Sequence, residues 1–142
     1  MIDPEDIVKA ARSEKGTAFA HLGRTSGVGI DCVGLLALTA RKLDIKHDDI
    51  AVYPRFAKPD KLREGLLACG LTGPFPVEEM RVGDVLFFLW GPRKKLGHVG
   101  IYCGDGRFVH AYAGAKRVSE NGLEENWKSK LVEVWRFPGV SE

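Results

Sequence analysis

The sequence is short of soft and imidazole side chains: three cysteines, two methionines and four histidines in 142 residues. An odd number of widely spaced cysteines, Cys32, Cys69 and Cys103, argues against a disulfide framework and predicts a chain that folds under reducing conditions. An excess of one charge is also missing. Twenty-one Lys and Arg against nineteen Asp and Glu leave a net charge of +2, and the one basic run is Arg93-Lys94-Lys95. A phosphate-reading surface needs a larger cluster, so nucleic acid is not an expected partner and the run reads as a solvated loop tip. No stretch is long and apolar enough to span a membrane. The opening "MIDPEDIVKAARSEKG" lacks a basic patch followed by an apolar run, so no secretory signal is expected. If such a protein works outside the cell that makes it, something else carries it there. A hydrophobic share of 44% fits one domain over residues 1–142 with a single core.

What is present changes character along the chain. Asp3 caps a first helix with Pro4 at its first position, Glu5 and Asp6 in the first turn and Ile7, Ala10 and Ala11 at helical spacing. That helix stops near Gly16. The aperiodic "TAFAHLGRTSGVGI" then reads as a long functional loop. Asp31 caps a second helix with Leu36, Thr39, Ala40 and Leu43 on one stripe, broadened by Leu35 and Leu38, which predicts deep burial. A third helix, "PDKLREGLLACG", carries Leu62, Leu66 and Cys69 on one face and ends at Gly70. "VLFFLW", "HVGIYC", "RFVHAY" and "LVEVWRF" follow as strands separated by turn residues. Helices first and antiparallel strands after predict an α+β fold.

Cys32 opens the second helix, where the helix field favours a thiolate and lowers the thiol's pKa. Cys69 and Cys103 fall on apolar faces and read as buried structural thiols. A nucleophilic cysteine needs a nearby base and a polar group that orients the base. His47, among charges past a helix end, reads as an exposed bystander; His21, in the glycine-bearing loop, stays open. His98 and His110 flank "GDG". A two-residue loop would pair residues summing to 211 and turn the two imidazoles to opposite faces. A three-residue loop over Gly104-Asp105-Gly106 pairs residues summing to 210, which sets His98 opposite Tyr112 and diagonal to His110, about 7–8 Å away. The other face then carries Val99, Ile101, Cys103, Val109 and Ala111. That clean segregation favours the three-residue loop.

"GIDCVGL", "PVEEMRVGDVLFF", "GHVGIY" and "RFVHA", in that order, resemble the NlpC-type family of papain-like cysteine peptidases that cut bacterial cell-wall peptides. The resemblance runs from about Gly16 to Val118. It implies a papain-like fold, with N-terminal helices packed on an antiparallel sheet and the nucleophile at a helix N-terminus. It also implies Cys32 as nucleophile, His98 as general base and His110 as the residue that orients it, with peptidoglycan stem peptide as substrate and no cofactor. "GTAFAHLGRTSG" further resembles the branch found in phage tails and gene transfer agents. That likeness implies tail or tail-hub partners, a cytoplasmic assembly stage and action in the periplasm or cell wall. Two departures from the family pattern stand out. Phe19 occupies a place where a tyrosine is common, and Val33 follows the cysteine where Ser or Ala is common, which implies a narrower cleft.

The chemistry expected is thioester formation at Cys32 followed by hydrolysis, with the Cys32 backbone N–H as one oxyanion donor and His21 as a candidate second. Asp31 has two roles open to it, capping the helix and meeting a substrate ammonium. Its carboxylate opposes the helix field at the thiol, so an ion pair with His98 would have to dominate. Two rival readings use the same residues: a zinc site at Cys32, His98 and His110, and a non-enzymatic tail-tip module.

Overall fold

A computed structural model describes residues 1–47 and 58–141. The N-terminal third is helical because its caps and its apolar spacing agree. Helix α1 (Pro4–Arg12) starts where the Asp3 side chain accepts from the Glu5 N–H at 2.9 Å, and it buries Ile7, Val8, Ala10 and Ala11. Helix α2 (Cys32–Lys42) begins at Asp31 and is buried without a break from Val33 to Ala40, as a helix apolar on most sides must be. The loop before it contains a ribbon of β1 (Arg24–Thr25) and β2 (Gly29–Ile30). Helix α3 (Pro59–Ala68) buries Leu62 and Leu66 and stops at Gly70, whose φ of +85° suits glycine. No helix among the described residues is long and apolar enough to cross a membrane.

The remaining chain builds β3 (Thr72–Phe75), β4 (Val85–Trp90), β5 (Leu96–Gly104), β6 (Arg107–Tyr112), β7 (Arg117–Gly122), the short helix α4 (Glu125–Lys128) and β8 (Leu131–Arg136). The six strands form an antiparallel sheet in the order β3-β8-β4-β5-β6-β7. β3 and β7 fall in segments where alternation predicts no strand. β3 carries Pro74, tolerable because β3 is an edge strand. Val85, Phe87, Val99, Ile101, Val109 and Ala111 face α1, α2 and α3 in the main core. The opposite face holds a smaller core of Leu86, Phe88, Phe108 and Val134, covered in part by Trp127 of α4. The Arg93–Lys95 tip between β4 and β5 is exposed, as its charge implies.

The β5–β6 turn corrects the expected loop while keeping its register. Ile101 pairs with Val109 and Tyr102 with Phe108, both summing to 210, but Gly104 pairs with Arg107. The loop is therefore two residues, Asp105-Gly106, both at positive φ (52° and 69°), the form that right-twisted strands prefer. An irregularity between Tyr102 and Gly104 absorbs one residue and restores the offset. His98 and His110 consequently share a face.

Gly34 shows how tightly the loop wraps α2. A Cβ there would lie 2.4 Å from the Gly23 carbonyl oxygen and 3.2 Å from an Asp31 carboxylate oxygen. Gly34→Ala is expected to cost about 1–3 kcal/mol, as overpacking of a close contact does, measurable by denaturant unfolding.

Candidate active site

Asp31 organises the approach to α2. Its carboxylate accepts from the Gly34 N–H at 2.8 Å, the Leu22 N–H at 2.8 Å and Arg24 Nη1 at 2.9 Å. At 3% exposure and with these donors, it holds the loop on the helix. The segment just before the ribbon runs beside β7. Gly16 N–H donates to Val118 O, Val118 N–H to Thr17 O and Phe19 N–H to Lys116 O, at 2.8–2.9 Å. That pairing carries Phe19 to the rim of a cleft whose wall also includes Cys32, Trp90, Gly97, His98, Ala111 and Tyr112. Phe19 thus occupies the wall without offering a hydroxyl. Val33 is 3% exposed in the main core and does not line this cleft, so it does not narrow it. His21 is exposed and also lies outside the wall.

Cys32 and His98 therefore meet across one cleft, although α2 and the two imidazoles belong to opposite faces of the sheet. His98 Nε2 lies 2.7 Å from His110 Nδ1, and His110 Nε2 lies 2.8 Å from Asn121 Oδ1. His110 is fully buried and His98 is 6% exposed. Aromatic rings surround the pair: Trp127 lies 5.7 Å from the His98 ring and 4.9 Å from that of His110, and Tyr112 stacks on His110 at 5.4 Å. Among the described residues no hydrogen bond joins the Cys32 sulfur to either imidazole, a separation that free enzymes commonly show before substrate closes the site.

The electrostatics at Cys32 run against the helix field. Burial and then the neighbouring Asp31 carboxylate push the Cys32 thiol up to about 12, against backbone N–H groups of Val99 and Val33 that pull the other way. Burial and the neighbouring His110 hold His98 well below the ordinary imidazole range, and burial lowers His110 to about 4 despite its bond to Asn121. The helix field loses to desolvation here. Both shifts run toward the neutral thiol and the neutral imidazole.

A stability consequence follows from the two buried imidazoles. Both folded-state pKa values lie below the unfolded value of about 6.5, so below that pH the unfolded chain binds protons that the folded one refuses. Their contribution is intact above about pH 6.5 and is lost as pH falls toward 4 and lower. Each pH unit in that window costs about 1.4 kcal/mol per imidazole. Denaturant midpoints at pH 7 and pH 4.5 check it, and His110→Asn should flatten the slope.

The other candidates lie elsewhere. His47 is half-buried rather than exposed, its Nδ1 2.9 Å from Ile45 O beside a small apolar pocket, because the chain after α2 folds back onto the core. Cys103 is buried as expected. Cys69 is only partly so, since it caps the end of α3 rather than lying within it. No group of three His, Cys, Asp or Glu among the described residues is placed to hold a metal ion. His98 and His110 aim ring nitrogens at each other instead of at a common point. Asn121 and Trp127 escape sequence reasoning because β7 and α4 carry little periodicity. The Phe108–Asn121 pairing on the far side of β6 would have revealed the first.

Comparison with known proteins identifies the family and the fold. The NlpC/P60 family model matches residues 16–136. The gamma-DL-glutamyl hydrolase of Bacillus subtilis (strain 168) is 26% identical over 136 residues, covering 95% of this chain and 30% of that protein. Dipeptidyl-peptidase 6 of Lysinibacillus sphaericus is 29% identical over 121 residues, covering 85% of this chain and 37% of that one. The chain thus spans about a third of the length of these curated relatives. Among solved structures, an NlpC/P60 family protein from Bacillus cereus ATCC 10987 superposes with a TM-score of 0.68 at 22% identity, covering 94% of this chain and 40% of that one. The NlpC/p60 domain of the peptidoglycan hydrolase SagA gives 0.66 at 21% identity, covering 94% and 97%. These likenesses establish the papain-like fold. With its helices packed on an antiparallel sheet and Cys32 and His98 on one cleft wall, the chain belongs to the NlpC/P60 family.

Proposed function

We propose that this chain is a cysteine peptidase that hydrolyses an amide bond in the stem peptide of peptidoglycan. The observation that carries the reading is the placement of Cys32 and His98 on one cleft wall, with His98 held from behind by His110 at 2.7 Å. Family membership supports the chemistry. Two similar Bacillus subtilis proteins, a gamma-DL-glutamyl hydrolase and a gamma-D-glutamyl-L-lysine dipeptidyl-peptidase, support a bond made by D-glutamate to a diamino acid.

His98 Nε2 is committed to His110, so Nδ1 is the nitrogen left to take the thiol proton. The sulfur attacks the amide carbon, and the oxyanion is met by backbone N–H groups at the start of α2, Cys32 first. Collapse breaks the C–N bond, and the imidazolium returns its proton to the leaving amine. Water then attacks the thioester, giving its proton to His98 and releasing the carboxylic acid and the thiol. Burial favours the neutral thiol, which supports proton transfer accompanying attack instead of preceding it.

The likeness of residues 16–27 to the phage-tail and gene-transfer-agent branch supports a setting in which the protein is assembled in the cytoplasm, rides in a tail structure and acts in the periplasm or cell wall. Digestion of purified peptidoglycan with mass analysis of the fragments tests the substrate. New termini at a D-glutamyl linkage are expected; intact stem peptides, or cleavage confined to the glycan, would overturn the reading. Co-purification with tail particles tests the setting, and its absence from them would overturn that part.

A further inference from the structure

We infer that Asn121 is a positioning residue that sets the proton on His98 by way of His110. The inference rests on the reading of Cys32 and His98 as nucleophile and base, and it adds a fourth member that acts without touching the reacting atoms. A neutral imidazole carries one N–H and one lone pair, so a partner that can only accept at one nitrogen dictates the other. Asn121 Oδ1 lies 2.8 Å from His110 Nε2, and an amide oxygen has no proton to give. His110 must therefore hold its proton on Nε2, which leaves Nδ1 as an acceptor. His98 Nε2, 2.7 Å from that atom, must donate. The lone pair of His98 then stands on Nδ1, the nitrogen that would receive the thiol proton.

Ser119 Oγ also lies 3.3 Å from the same Oδ1, within reach to donate to it. The sheet explains why these residues converge: His110 pairs with Ser119 and Phe108 with Asn121, so both β7 side chains stand on the face of the two imidazoles. Reversing the amide would turn every donor in the chain round and place a proton on His98 Nδ1, where a base cannot use it. The neutrality of both imidazoles, enforced by burial among Phe88, Phe108 and Trp127, is what makes a tautomer chain possible at all.

Two-bond proton–nitrogen correlation spectra of the imidazole rings read the tautomers directly and do not depend on turnover. In the wild type at pH 7, His98 and His110 are both expected as Nε2–H tautomers. Asn121→Leu removes the acceptor and should mix the tautomers of both rings. It should also lower kcat about tenfold with KM changed less than about twofold, the size seen when an outer partner of a functional histidine is lost. Asn121→Asp still only accepts, so it should keep both tautomers, restore kcat and move the titration of His110 upward. If Asn121→Leu fails to fold, the upward titration with unchanged tautomers in Asn121→Asp decides. A wild-type His98 protonated on Nδ1, or unaltered tautomers in Asn121→Leu, would overturn the inference. The expected spectra on a protein that cleaves no stem peptide would instead overturn the peptidase reading and leave the tautomer chain standing.

Discussion

Cys32→Ala is expected to abolish peptide release from peptidoglycan, with turnover falling by at least about 10⁴-fold, the scale on which loss of a nucleophile acts in triad hydrolases. The fold should survive. Cys32 is half-buried at the margin of the core and makes no hydrogen bond to either imidazole, so trimming it removes little packing. Circular dichroism and the unfolding midpoint should match the wild type. Cys32→Ser separates two further ideas. If the sulfur served only to fill the cleft wall, serine would preserve function. Because attack here requires moving a proton from a group already held at about 12 by burial and Asp31, an alcohol with a still higher pKa should be nearly as inactive as alanine.

His98→Ala should lower kcat by about 10²–10⁴-fold, the usual share of a general base. His110→Asn should retain measurable activity, because an amide oxygen can still accept from His98 Nε2 and hold the ring. The pH profile carries the sharper content. On the proposed mechanism activity needs His98 neutral, and burial shifts its pKa well below the ordinary imidazole range. The rate should therefore persist as pH falls below about 6.5, failing only where His98 protonates or the fold itself gives way. A preformed thiolate–imidazolium pair would behave differently, with the rate set by the protonated imidazole and lost as it deprotonates. Single-turnover rates between pH 4.5 and 10 on a fluorogenic stem peptide distinguish the two, because only the ion pair loses rate on the alkaline side.

Much of this site could be read from residues alone, and the reasons differ from element to element. Asp31 and the apolar stretch behind it declare α2 because cap and burial point to one answer, and capping is what the Asp31 carboxylate does. The alternation in β5 and β6 settled the register that brings His98 to His110. It could not tell a three-residue loop from the two-residue turn with an added irregularity, since both give the same offset. β7 stayed hidden because "RVSENG" offers only Val118 to the core, and with it went Asn121. The thiol's protonation state was beyond local reasoning. The helix terminus is a neighbour in sequence, whereas the desolvation that outweighs it comes from the cleft walls, assembled from distant segments. The implied effect of Val33 failed likewise, because the helix turns that side chain into the core.

The central claim is that the reaction passes through an acyl group on Cys32. Turnover of a stem peptide in the presence of hydroxylamine tests it, because a thioester partitions between water and an added nucleophile whereas direct attack by a bound water does not. The account predicts a hydroxamate of the released acyl fragment, rising with hydroxylamine concentration, insensitive to chelators and missing with Cys32→Ala. Release of the free carboxylic acid alone, from an activity that chelators remove and Cys32→Ala retains, would contradict it.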